Sequence, residues 1–188
     1  MDRYTRTEKI IRAGLLAALT CIATFAIKIP TPQGGYVHLG DGFVLACGFL
    51  LGPLYGTLAA GLGSALADLV SGYVAFTPAT FVIKCFTALF AALLYRLLTK
   101  HFPSKKAAYI NTIFAGCLGE AVMIIGYYAH NTLLLFLSSS VHNRQALITA
   151  LLSSLTIIPF DLLQGAFGIV TTTLLSPILS RLIKNTDR

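Results

Sequence analysis

Four acidic side chains lie within, or at the edge of, strongly apolar segments of this 188-residue chain. They are Asp41, Asp68, Glu120 and Asp161, and Lys84 lies inside another apolar segment. An ionised group at the centre of a bilayer costs about 3 kcal/mol or more, so such residues usually face a partner or a cavity. These five residues therefore predict a polar site inside a membrane protein.

Other polar side chains share the faces and the depth of these charged groups. Tyr127 and Asn131 follow Glu120 at helical spacing, and Gln164 lies three residues after Asp161. We expect the whole set to converge on one cavity that opens to the outside. The binding residues that this pattern predicts are Asp41, Asp68, Lys84, Glu120, Tyr127, His130, Asn131, Asp161 and Gln164.

Two other interpretations of these charges stay open. Asp68 and Lys84 have similar predicted depths and could neutralise each other between neighbouring helices, or the carboxyl groups could form a proton or ion path. A pairing of Asp68 with Lys84 would leave Glu120 and Asp161 without a role, so a shared cavity is the favoured interpretation.

A proline adds a backbone group to the predicted site. Pro159 removes one backbone hydrogen bond of its helix and is expected to free a carbonyl beside Asp161.

The composition places these residues in a membrane. The chain is 56% hydrophobic and 11% charged, with a mean hydropathy of +0.78, whereas soluble domains are about 25% charged. Apolar runs near the ~20 residues of a bilayer crossing predict an all-α integral membrane protein, a single domain over 1–188 with six transmembrane helices. The runs lie at roughly 10–29, 43–55, 56–73, 79–99, 107–129 and 155–183, the second and third divided only by Gly52-Pro53.

Positive charge predicts the orientation. Eleven of the 14 lysines and arginines lie at or before the start of the first run, at the end of the fourth run and before the fifth, or at the end of the last run and beyond it. Because cytoplasmic loops are rich in Lys and Arg, both termini are predicted to be cytoplasmic. The net charge of +7 is explained by this orientation, so no nucleic-acid partner is expected.

A stripe of small residues and the absence of several motifs further limit the functions that the sequence allows. Ala13, Ala17 and Cys21 form a small-residue stripe, which indicates either packing within the bundle or docking onto another membrane subunit. The four cysteines are predicted to be reduced packing residues, and the histidine spacings match no compact metal motif. The phosphate-binding GxxxxGK[ST] pattern is absent, so no metal, cofactor or ATP site is predicted.

The chain resembles the substrate-binding S components of energy-coupling factor (ECF) vitamin transporters. The resemblance rests on YVHLGDGFVLACGFLLGPLYGTLAAGLGSALADLVSGY, on TPATFVIK, and on Glu120 with IPFDLLQG. It implies a six-helix bundle in a bacterial plasma membrane that captures a vitamin from outside and has no enzymatic activity. It also implies docking through Ala13 and Ala17 onto a transmembrane T component that is driven by two cytoplasmic ATPases.

The resemblance also suggests a role for the polar loop at 30–42. In this family the corresponding loop covers the cavity, so we expect a lid, with Tyr36 and His38 against the ligand and Asp41 at the mouth. The resemblance also implies a small ring as ligand, which adds Tyr73 to the predicted binding residues as an aromatic contact. The favoured ligands are pyridoxine and hydroxymethylpyrimidine, and riboflavin is a further candidate. The rival functions are a self-sufficient ion-coupled transporter and a membrane enzyme, although no coupled nucleophile and base are found.

Overall fold

The computed structural model describes residues 5–31 and 35–185, with side chains throughout that range except at 105, 176 and 178–185. Helices dominate it, and a small two-stranded hairpin joins the first helix to the second. The elements in chain order are α1 (Arg6–Ala26), β1 (Lys28–Pro30), β2 (Tyr36–His38), α2 (Asp41–Ser71), α3 (Thr77–His101), α4 (Lys105–Leu137), α5 (Arg144–Ser154), a 3₁₀ turn (Leu155–Ile157) and α6 (Ile158–Asn185).

Five helical stretches of the described chain are long and apolar enough to cross a membrane. They are Arg6–Ala26, Asp41–Ser71, Thr77–His101, Lys106–Leu137 and Arg144–Leu175, the last of which includes α5 and the start of α6. The predicted all-α, membrane-spanning class is therefore confirmed.

The helix α2 is broken at the predicted Gly52-Pro53 step. Gly52 has φ 78° and ψ −173°, a conformation that glycine adopts without the steric penalty of a side chain. A Cβ placed on Gly56 would lie 2.2 Å from the carbonyl oxygen of Cys47, although nine residues of straight helix span about 13.5 Å. The two halves of α2 therefore fold back against each other.

Small residues let the remaining helices approach α2 closely. Gly63 lies against the backbone of Ala17 in α1, and Gly48 lies against the backbone of Ala88 in α3. A buried cluster fills the space between these helices, and side chains of this size allow such close packing in lipid. The cluster consists of Leu16, Val44, Cys47, Ala59, Ala60 and Ala88.

Pro159 marks the junction between the 3₁₀ turn and α6. Because proline has no amide proton, it cannot donate to the carbonyl of Leu155, and that carbonyl instead accepts from the backbone N–H of Ile158. The expectation of a free carbonyl beside Asp161 was therefore wrong.

Candidate functional site

The β1–β2 hairpin lies over the end of α2. Its strands are antiparallel, with Lys28 paired with His38 and Pro30 with Tyr36, while the predicted loop residues 32–34 fall outside the described residues. The Nζ of Lys28 donates to Ser71 Oγ at 2.8 Å, so a polar contact holds the first strand to the end of α2.

Tyr36 makes the second contact between the hairpin and α2. Its hydroxyl donates to Asp68 Oδ1 at 2.6 Å, and its ring centroid lies 4.6 Å from that of Tyr73. Burial, reinforced by the hydrogen bond to Asp68, raises the pKa of the Tyr36 hydroxyl. The phenol is therefore a hydrogen-bond donor at neutral pH.

His38 is almost fully enclosed, with 5% of its surface exposed. Its Nδ1 accepts from the backbone N–H of Gly40 at 3.1 Å, and its own backbone N–H donates to Gln164 Oε1 at 3.0 Å. Burial lowers the pKa of His38 to about 4, against a smaller opposing effect of Asp41. His38 is therefore neutral at physiological pH.

A buried ion pair joins the start of α2 to α3. Lys84 Nζ donates to Asp41 Oδ1 at 2.5 Å, and both side chains are fully buried. Gln164 of α6 donates to the other Asp41 oxygen at 2.7 Å. The alternative that Lys84 neutralises Asp68 was therefore wrong, since Lys84 pairs with Asp41 and Asp68 accepts from Tyr36.

A cavity of about 30 Å³ lies beneath the hairpin, enough for about two water molecules. Seven of the predicted binding residues line it: Tyr36, His38, Asp68, Tyr127, Asn131, Asp161 and Gln164. Asp41 and Lys84 are linked to this wall through Gln164. A vitamin-sized ligand requires the hairpin or the lining side chains to move.

Three predicted residues occupy positions outside the wall. Tyr73 stacks on Tyr36, and His130 meets Phe76 edge to face at 5.3 Å between ring centroids. Glu120 is 3% exposed and lies against α6, where a Cβ on Gly165 would be 3.0 Å from the Glu120 Cβ. Within the described chain, neither carboxyl oxygen of Glu120 has a hydrogen-bond partner.

Five residues of the wall were not among the predicted binding residues, although the first two belong to the predicted lid at 30–42: Thr31, Gly35, Phe76, Thr80 and Ile157. Thr80 carried a signal, because it lies one helical turn before Lys84 and accepts a hydrogen bond from the Tyr127 hydroxyl at 3.2 Å. For Phe76 and Ile157, no sequence signal distinguishes a cavity residue from an ordinary apolar core residue.

The structure also shows the positions of the predicted docking residues of α1 and of the side chains that could bind a metal ion. Ala13 and Ala17 pack partly against the buried cluster of α1, α2 and α3, while their neighbours Gly14 and Ala18 are exposed. Across residues 5–31 and 35–185, no three His, Cys, Asp or Glu side chains are grouped to hold a metal ion.

A small cavity lined by carboxyl, amide and aromatic groups therefore lies among apolar helices that can span a membrane. Residues 5–181 match the family described as "ECF-type riboflavin transporter, S component", and the chain belongs to this family. The predicted resemblance to ECF S components is thus confirmed, and with it a role as the substrate-binding subunit of a transporter rather than an enzyme.

Two solved structures have a similar fold. The S component of a bacterial ECF transporter aligns over 96% of this chain and 99% of its own, with a TM-score of 0.64 and 22% identity. The S component for biotin from an ECF-type ABC transporter aligns over 94% and 95%, with a TM-score of 0.60 and 21% identity. At these identities the likeness establishes the fold alone.

A Pyrococcus woesei protein described as "Uncharacterized protein in gap 3'region" is 33% identical over 107 residues, which are 56% of this chain and 66% of that protein. The match spans just under two thirds of that relative.

Proposed function

We propose that this chain binds a small ring-containing vitamin or vitamin precursor at the outer face of the plasma membrane for import by an ECF transporter. The carrying observation is the cavity enclosed between the hairpin, α2, α3, α4 and α6, whose wall combines aromatic rings with carboxyl and amide groups. Ligand sites of this kind use apolar and aromatic walls for affinity and a few polar groups for specificity.

The proposed topology has six transmembrane helices with both termini in the cytoplasm. It is supported by the fold-back of α2 at Gly52, which turns one long helical element into two antiparallel segments. The clustering of lysine and arginine near the termini and the α3–α4 connection supports the same orientation.

The hairpin is proposed to act as the lid of the cavity. Tyr36 and His38 line the cavity from β2, and the hydrogen bonds from Tyr36 to Asp68 and from the His38 backbone to Gln164 hold this strand closed. Both bonds must open or rearrange before a vitamin can enter.

The favoured substrates are pyridoxine and hydroxymethylpyrimidine. Expanding a cavity of about 30 Å³ around a single ring displaces fewer side chains than expanding it around a three-ring flavin, because protein interiors are close-packed. Riboflavin is the second candidate, and the description of the matching family favours it.

The proposed partners are a transmembrane T component and two cytoplasmic ATPases. The docking surface is proposed to include Ala13 and Ala17, with Gly14 and Ala18 beside them on the exposed side of α1. Small residues at this surface allow close helix contact in lipid.

A self-sufficient ion-coupled transporter is the competing function. The buried, unpartnered carboxyl of Glu120 favours it, because intramembrane carboxyl groups often carry protons or ions.

Uptake of radiolabelled vitamin into proteoliposomes tests the two functions. We expect uptake only when the chain is reconstituted with a T component, both ATPases and ATP. Uptake by the chain alone along a proton gradient, abolished in Glu120→Gln, would instead establish the ion-coupled transporter.

A further inference from the structure

The wall of the cavity is rich in hydrogen-bond acceptors and poor in cations. Asp68 and Asp161 both line it, and none of its described lining residues is a lysine or an arginine. Lys84 is already paired with Asp41, and His38 is buried and neutral. These two carboxyl groups therefore have no lysine or arginine beside them among the described residues that line the cavity.

Three buried side chains in the same wall, Thr31, Asn131 and Asp161, make no hydrogen bond within the described chain through a buried polar atom, and the last two lie deepest. Asp161 is 6% exposed and Asn131 is 2% exposed, and neither Oδ2 of Asp161 nor Nδ2 of Asn131 makes a hydrogen bond. Native proteins rarely leave buried polar atoms unsatisfied, and exceptions often mark functional sites. Their common cavity supplies one place where a ligand can satisfy both.

We propose that the ligand is cationic and carries a protonated amine or ring nitrogen that donates to Asp161, with Asp68 nearby, and an acceptor for the Asn131 amide. This inference rests on the proposed function and narrows it to one substrate class. A charged donor is preferred because hydrogen bonds between ionised partners are about twice as strong as neutral ones. A neutral alcohol of the same shape brings no positive charge to these carboxyl groups and therefore makes the weaker hydrogen bond.

Two pairs of near-isosteric probes separate charge from shape. Pyridoxamine differs from pyridoxine, and aminomethylpyrimidine from hydroxymethylpyrimidine, by a protonated amine in place of a hydroxyl. Isothermal titration of the full-length protein in detergent at pH 7.5, with riboflavin as an added neutral ligand, gives each dissociation constant. In at least one pair we expect the amine to bind about tenfold tighter or more, which is 1.4 kcal/mol.

Two carboxyl-to-amide variants test which side chains cause the preference for the amine ligand. Asp161→Asn keeps the side-chain shape and is expected to reduce the amine preference below about threefold, and Asp68→Asn is a second variant should the first fail to fold. The matched control is Glu8→Gln, an exposed carboxyl at the start of α1 that caps the helix with Thr5, because glutamine also fills this capping role. Glu8→Gln should keep the full preference.

Each outcome decides the inference. The inference is supported if the wild-type protein prefers the amine and this preference decreases in Asp161→Asn or Asp68→Asn. An amine preference that both variants retain overturns the assignment to these carboxyl groups. Equal or tighter binding of an alcohol or of riboflavin overturns the cationic class and leaves the proposed vitamin-binding function intact. Binding of none of the five probes to folded protein would overturn both.

Discussion

At the scale of single residues, the Lys84–Asp41 ion pair is expected to stabilise both the fold and the cavity wall. Removing one partner of a buried pair leaves an uncompensated charge and costs about 3 to 5 kcal/mol. We predict that Lys84→Met strongly lowers the thermal unfolding temperature in detergent and weakens vitamin binding, since Asp41 also holds Gln164 of the cavity wall.

The double variant Lys84→Met/Asp41→Asn is the matched comparison. It removes both charges and leaves an amide that can still bond to Gln164, so it should recover part of the lost stability. A double variant less stable than Lys84→Met alone would show that the stranded charge is not the cause of the loss.

His38 predicts a specific dependence of stability on pH. Its folded pKa of about 4 lies below the unfolded value of about 6.5, so the unfolded chain takes up a proton first as the pH falls. The stabilisation is complete above about pH 6.5 and is lost progressively down to about pH 4, by at most about 3 kcal/mol.

Thermal unfolding of ligand-free protein between pH 7.5 and 4 tests this dependence. His38→Asn, whose side-chain oxygen can still accept from Gly40, should have a shallower pH profile than the wild-type protein. The exposed His142→Asn is the control and should follow the wild type. Identical profiles for wild type and His38→Asn would contradict the buried, neutral assignment.

The sequence indicated which charged and polar residues lie near the cavity, but it did not indicate which of them bond to each other. Asp161, Asn131 and Tyr127 were identifiable because polar groups inside apolar helices need a partner or a cavity. The pairing of Lys84 with Asp41 was not, because sequence depth places Asp68 at a similar height, and only the three-dimensional path of the hairpin assigns Tyr36 to Asp68.

At the scale of elements, the break in α2 depends on Gly52. An alanine there must adopt φ 78° with ψ −173°, a combination that is essentially restricted to glycine and costs other residues about 1 to 3 kcal/mol. It also places its Cβ 2.0 Å from the Arg96 guanidinium. We predict that Gly52→Ala lowers the unfolding temperature in detergent more than Gly72→Ala does.

Gly72 is the control for a glycine with positive φ, because its φ of 83° and ψ of 6° lie in the ordinary left-handed region and no heavy atom lies within 4 Å of an added Cβ. The difference between the two variants therefore reports on the contact with Arg96 together with the rarer backbone conformation of Gly52. Equal losses would contradict the prediction and indicate that the fold-back depends neither on the Arg96 contact nor on the special backbone conformation of Gly52.

The sequence located this break because Gly-Pro is a strong interruption of a helix. It did not predict the strands of the hairpin, since three-residue strands bounded by Gly and Pro carry too little periodic signal. Their pairing is set by contacts with Ser71, Asp68 and Gln164, which are distant along the chain.

At the scale of the whole molecule, binding and docking are proposed to use opposite surfaces. Ala17→Leu is predicted to leave vitamin binding intact and to abolish uptake by the complete transporter. Because Ala17 also packs near Gly63, Gly14→Leu is the cleaner variant, since nothing lies within 4 Å of a Cβ at Gly14.

Binding by titration and uptake into proteoliposomes are measured on the same preparations. Exposed Ile22→Leu on α1 is the control for a lipid-facing substitution and should support normal uptake. Normal uptake by both Ala17→Leu and Gly14→Leu would remove this face of α1 from the proposed docking surface.

The most direct test of vitamin binding is thermal stabilisation of the purified, ligand-free protein by a panel of vitamins and precursors. A ligand at about 100 times its dissociation constant adds about 2.7 kcal/mol to the folded state. We predict a clear rise in unfolding temperature with a member of the pyridoxine or hydroxymethylpyrimidine group. Folded protein that shows no shift with any vitamin, riboflavin and biotin included, would contradict the account.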